Sequence, residues 1–295
     1  MINFVKFWKI GNIFSAILLI ISIFFFCTKP FNMGIDFTGG VLIEISSTQN
    51  IDSQQINSIN HGLENIKIKN IIQNNGTNGL IIKLQADDKN QKTIIDQTKE
   101  IINTSFGAHN KITYNKIDFI GAQISGEFFL KSSLAILISL IGIMIYLIIR
   151  FDLRFALGGI LGLIHDVVIT FGVISIFSIE FNMIAVTAIL TVIGYSINDS
   201  VIIYDRIREV NKINNEKSIR ENINLSLNNT LTRTLFTSLT TLLSAGVLII
   251  FGGQALHSFS YVVFVGILVG TYSSIFVASQ FIDLITFKKK NVATQ

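Results

Sequence analysis

The residues most able to do chemistry in this chain lie where charge is least welcome. Asp199 falls inside a long apolar run, in Tyr195-Ser196-Ile197-Asn198-Asp199-Ser200. A charged side chain at mid-bilayer costs several kcal/mol on insertion scales, so a carboxylate kept there is by default functional. It can exchange a proton or hold a basic partner. Counting back by fours from Asp199 gives Tyr195, Thr191 and Thr187, a polar stripe on one helix face. The next apolar run carries a second stripe, in which Thr237, Thr240 and Ser244 follow Arg233 at helical spacing. The two runs cross in opposite directions, which puts Asp199 and Arg233 at similar depth and makes them natural partners. Two readings stay open: a static ion pair, or a relay in which protonation of the Asp releases the Arg and changes helix packing. Asp166, beside His165, is a second intramembrane carboxylate. Adjacent helix positions point about 100° apart, so these two are not expected to pair. Asp166, Asn198, Tyr195 and Thr237 make up a secondary polar set.

The elements that hold these residues follow from composition. Of 295 residues 50% are hydrophobic and only 14% charged, against about 25% charged in an ordinary soluble domain. Much of the chain therefore needs an apolar solvent. The apolar residues gather into runs near the ~20 residues that cross a bilayer as helix. These runs are Ile13 to Cys27, Leu134 to Ile149, Phe155 to Phe177, Met183 to Tyr204, Leu235 to Phe251 and Phe259 to Phe281. A cleaved signal peptide is the competing reading of the first run, but no small-residue cleavage pattern follows it. Lys and Arg collect before the first span, between the second and third, between the fourth and fifth, and after the sixth. The loops after spans three and five have none. The positive-inside rule then puts both termini in the cytoplasm and the segment after span one outside. Cys27 is the single cysteine, so no internal disulfide can form.

Between the first span and the rest the periodicity changes. Gly40 to Ser46 reads as a strand, and Asp52 or Ser53 caps a helix with Ile56, Ile59, Leu63 and Ile66 on one face. Ile68 to Gln73 and Leu80 to Leu84 read as strands joined by an Asn-Gly-rich turn, Asn74 to Gly79. A helix from Asn90 to Phe106 and a strand from Lys111 to Ile117 complete a βαββαβ order. The expected class is a polytopic α-helical membrane protein of six transmembrane helices with an inserted ferredoxin-like α+β domain. Its parts are residues 1–29 (cytoplasmic start and first helix), 30–129 (periplasmic insert), 130–287 (helices two to six) and 288–295 (basic cytoplasmic tail).

Gly34-Ile35-Asp36-Phe37-Thr38-Gly39-Gly40 opens the insert. Its glycines either permit positive φ where the chain turns into the first strand, or form a hinge at the membrane surface. Gly158 with Gly162 and Gly266 with Gly270 are GxxxG pairs, which read as close helix packing. The insert has no His/Cys cluster, no nucleophile with a partner and no phosphate loop, and Gly252-Gly253 lacks the Lys-Ser/Thr of a Walker motif. No metal, cofactor, nucleic acid or enzymatic chemistry is expected. Energy must come from a partner or from the proton gradient, where one charge moved through ~100 mV yields ~2.3 kcal/mol. Three classes remain: a proton-coupled transport subunit, an exporter of small molecules or lipids acting as a homodimer, and a structural scaffold.

Three segments together resemble the SecD/SecF family of protein-export membrane subunits, related to the proton-driven resistance-nodulation-division exporters. They are Gly34 to Gly40, Gly194-Tyr-Ser-Ile-Asn-Asp-Ser-Val201 running into Tyr204-Asp-Arg-Ile-Arg-Glu209, and Arg233-Thr-Leu-Phe-Thr-Ser-Leu-Thr-Thr241. The short insert is similar to the SecF branch rather than the larger SecD branch. The resemblance implies proton passage at Asp199 and Arg233. It marks Gly34, Asp36, Gly39 and Gly40 as the motif, and possible hinge, at the head of the periplasmic domain. It further implies a SecD-type partner completing a pseudo-symmetric bundle, the SecYEG translocation channel, and unfolded preproteins as the chains helped across.

Overall fold

A computed structural model describes residues 1–63, 68–74, 78–106, 111–214 and 216–292. Two compact units divide the chain: Met33–Ser132, and Met1–Asn32 together with Ser133–Gln295.

The second of these is helical. Its members are α1 (Phe4–Thr28), α5 (Ala122–Arg150, from residue 133), α6 (Leu153–Ile176), α7 (Met183–Ile213), α8 (Ile219–Phe251), α9 (Gly253–Ser273) and α10 (Ser279–Val292). A π-helical turn, Ser274–Ala278, joins α9 to α10, so that Leu256–Ile285 runs as one span. Six spans among the described residues are long and apolar enough to cross a membrane, as the sequence predicts. Their surfaces agree with that role. Ile13, Ile20 and Phe24 of α1 are 62%, 67% and 59% exposed, which water would penalise and lipid tails do not.

Short polar caps begin the helices. Asn182 Oδ1 accepts from Ala185 N at 2.9 Å at the head of α7, and Ser218 with Glu221 forms a capping box at the head of α8. Aromatic packing closes one end of the bundle. The fully buried Tyr204 lies 5.1 Å from Phe155 and 5.9 Å from Phe151 between ring centroids, in a core shared with Phe4, Trp8 and Leu147. The GxxxG expectation holds in detail: a Cβ on Gly158 would lie 3.0 Å from the Ala278 carbonyl, and one on Gly266 would lie 2.2 Å from Val192.

The other unit contains a helical turn α2 (Ile35–Thr38), β1 (Gly40–Ser47), α3 (Ser53–Gly62), β2 (Ile68–Asn74), β3 (Gly79–Leu84), α4 (Gln91–Phe106) and β4 (Ile112–Ile120). The four strands form an antiparallel sheet in the order β2-β3-β1-β4, the ferredoxin-like arrangement the sequence order predicts. Alternation along β1 puts Val41, Ile43 and Ile45 at 0% exposure against Ile59, Ile94 and Ile102 of the two helices. Asp52 is the cap of α3, and its backbone N–H donates to Gln55 Oε1 at 3.0 Å. Ile66, the centre of the expected Asn-Gly turn (residues 75–77) and the last three residues of the basic tail lie outside the described residues.

Candidate functional site

The head of the insert is governed by backbone geometry. Gly34 caps α2, Thr38 Oγ1 donates to the Gly34 carbonyl at 3.0 Å, and Asp36 lies in the first turn. Gly39 has φ +65° and Gly40 φ +118°. A Cβ on Gly40 would stand 2.3 Å from the Leu84 carbonyl oxygen, so both conformation and space demand glycine there.

Two of the buried carboxylates in the helical unit stand in opposite circumstances. Asp166 on α6 is tied on every side. Its Oδ2 accepts from Ser196 Oγ of α7 at 2.6 Å and from Ser273 Oγ of α9 at 2.8 Å, and its Oδ1 lies 3.0 Å from His165 Nδ1. The last contact corrects the expectation that His165 and Asp166 stay apart. Their Cβ vectors do diverge, but Nδ1 stands close to its own backbone, and side-chain rotation brings it onto the neighbouring carboxylate.

Asp199 on α7 is as deeply buried, 1% exposed, yet neither oxygen closes a hydrogen bond. Ser238 of α8 is the hydroxyl facing it, and the Arg233 guanidinium is the cation whose field reaches it. Arg233 itself is exposed on α8, and no salt bridge joins the two. The natural partners of the sequence reading are thus near one another without being paired. The rotation of α8 turns the Arg outward.

The two polar stripes run along the outside of α7 and α8. Thr187 and Thr191 are exposed, with their hydroxyls returned to the carbonyls of Met183 and Thr187 at 3.0 and 2.9 Å. Asn198 is exposed on the same helix, and Tyr195 is half-buried. On α8, Thr237 Oγ1 donates to the Arg233 carbonyl at 2.8 Å and Ser244 Oγ to the Thr240 carbonyl at 3.1 Å. Thr241 Oγ1 donates to Tyr195 Oη at 3.2 Å and stitches the stripes together.

Sequence reasoning missed the serines of the last span. Ser273 reaches Asp166, and Ser274 Oγ lies 3.0 Å from Ser200 Oγ, both beside the π-helical turn that offsets the helix by one residue. Adjacent serines after Tyr272 in an apolar run were the available signal. At the end of the bundle Arg150 Nη2 donates to both carboxylate oxygens of Asp205, at 2.8 and 3.0 Å, and Arg220 meets the buried Asp283 at 3.0 Å. Asp205 is thus a clamp between α5 and α7.

Among known proteins, the family described as "Protein export membrane protein SecD/SecF, C-terminal" matches residues 99–288, and "SecD/SecF GG Motif" matches residues 24–51. The Protein translocase subunit SecF of Rickettsia prowazekii (strain Madrid E) is 40% identical over 297 residues, covering 99% of this chain and 94% of the relative. That of Rickettsia conorii is 39% identical over 292 residues, covering 98% and 93%. In the crystal structure of SecDF, a translocon-associated membrane protein from Thermus thermophilus, the superposition reaches a TM-score of 0.84 at 32% identity over 98% of this chain. A structure of SecDF in a super-membrane-facing form gives 0.69 at 30% identity over 99%. This chain spans 39% and 40% of those two chains.

Proposed function

Because the chain belongs to the SecD/SecF family of protein export membrane proteins, we propose that it is an auxiliary subunit of the Sec translocase that couples the proton-motive force to the late export of preproteins. The observation that carries the coupling is Asp199, a fully buried carboxylate that closes no hydrogen bond, facing the Ser238 hydroxyl on a helix whose cation is close but not engaged. A bare charge there costs several kcal/mol, and either a proton or an approach of Arg233 relieves it. The two remedies exclude each other. Proton uptake leaves α8 free and proton release draws it in, which links proton flow to a helix rearrangement.

In this reading Asp199 and Arg233 are the proton relay. Tyr195, Asn198 and Thr237 line the hydrated approach, and Asp166 is the fixed point around which α6, α7 and α9 are held. The exposed stripes of α7 and α8 meet the membrane half of a SecD-type subunit, and the pair serves the SecYEG channel. Both termini face the cytoplasm, and the inserted domain faces the periplasm, where its Gly34-to-Gly40 segment acts as the hinge that passes the rearrangement to an emerging unfolded chain. The glycine geometry at Gly39 and Gly40 supports a segment with one permitted path.

The test is export in membrane vesicles carrying Asp199→Asn. Stimulation of export by an imposed proton gradient is expected to fall to the level without the subunit, while the complex still assembles. Export that stays fully responsive to the gradient would refute the relay.

A further inference from the structure

Where α6 begins and α7 ends, a cavity of about 200 Å³ opens at the end of the bundle. Arg154, Arg208, Asn211 and Lys212 line it, with Asp152 as the carboxylate among its lining residues. Arg208 is held in place by one N–H donated to the Arg150 carbonyl at 3.0 Å and by the Phe151 ring 5.4 Å away, which leaves its other donors unspent. Asn211 accepts from Asn222 at 2.8 Å through its oxygen, so its amide N–H groups remain to donate. Lys212 is exposed and makes no hydrogen bond or ion pair among the described residues. Arg154 stands 4.0 Å from Asp152.

Three cations lining one cavity with a single carboxylate leave an excess of positive charge that a bound anion relieves. Guanidinium forks match phosphate oxygens, and a lysine adds a point charge. The surroundings narrow the choice of anion. The cavity is walled on its inner side by the buried Phe155 and Ile282, and Leu153 and Ile213, next along the chain, are 59% and 72% exposed. A soluble anion gains nothing from that apolar rim, whereas acyl chains cover it. The cluster also lies at the ends of membrane-length helices, at headgroup level. The geometry points to a binding site for the phosphate headgroup of an anionic phospholipid such as phosphatidylglycerol, at Arg154, Arg208, Asn211 and Lys212.

Native mass spectrometry tests this on the full chain, with any subunit that co-purifies, equilibrated in mixed micelles of equal phosphatidylglycerol and phosphatidylcholine. Retention of phosphatidylglycerol is expected to exceed that of phosphatidylcholine roughly thirtyfold, from about two net basic side chains at a membrane surface. Arg208→Gln with Lys212→Gln should bring the ratio near parity. Lys212→Gln alone, at an exposed site where folding is not at stake, should lower it about fivefold. The paired change Lys6→Gln and Lys9→Gln, removing equal charge from α1, should leave it unchanged. Equal retention of the two lipids by the wild type would overturn the site, as would no response to the pocket variants or an equal loss in the α1 variant. Displacement of the lipid by millimolar inorganic phosphate would assign the cavity to a soluble anion and overturn the lipid.

Discussion

Asp166 and Asp199 are each 1% exposed, but removing them should have opposite consequences. Asp166 accepts from two serines and contacts His165, so Asp166→Ala strands all three groups in the interior. The expected cost is about 3–5 kcal/mol, the range for breaking a buried charged network from one side. Asp199 has no such bonds to lose. Asp199→Asn should leave stability unchanged or raise it by up to about 3 kcal/mol, because a neutral amide replaces an unsatisfied carboxylate of the same shape. Thermal denaturation of the purified chain in detergent checks both, and equal losses would show that the two sites are not the opposites their geometry describes. Sequence marks both residues as expensive. It does not tell which is satisfied, because the donors to Asp166 come from α7 and α9, 30 and 107 positions away.

The helices meet through small residues, and each contact depends on a missing side chain. Gly266 of α9 lies against Val192 of α7, where an added Cβ would approach to 2.2 Å, and a β-branched valine in a helix has little rotamer freedom to yield. Gly266→Ala is therefore expected to destabilise by about 1–3 kcal/mol, the usual cost of overpacking. Gly142→Ala on α5 meets open space and should stabilise by up to about 1 kcal/mol through helix propensity alone. Melting curves of the two variants, run side by side, separate packing from propensity. A Gly266→Ala variant as stable as wild type would mean that α7 and α9 can separate without loss. The GxxxG spacing announces such contacts in sequence. It does not announce the π-helical turn at Ser274–Ala278, since that depends on which hydroxyls must reach α6 and α7 at once.

Taken whole, the helical unit leaves a polar, small-residue face uncovered. Thr187, Thr191, Gly194 and Asn198 are exposed along α7, a Cβ on Gly194 would touch nothing, and Thr240 and Ser244 are exposed on α8. Lipid gives such a face no partner, whereas a second membrane half can pack closely on it. Gly194→Leu should leave the melting of the isolated chain within about 0.5 kcal/mol of wild type, as for a surface change. Under the proposed function it should also reduce co-purification of the SecD-type subunit at least several-fold. Undiminished co-purification would place the partner on another face. Hydropathy and strand order by themselves determined six spans and the inserted ferredoxin-like domain. These follow from the length of helix that crosses a bilayer and from the period of side chains along a strand, both local properties. Only the tertiary structure decided that Asp166 is saturated and Asp199 bare, that Arg233 turns outward, that His165 joins Asp166, and that Arg154, Arg208 and Lys212 share one cavity. Each of those depends on how helices distant in sequence rotate against one another, and packing sets that rotation for all of them together.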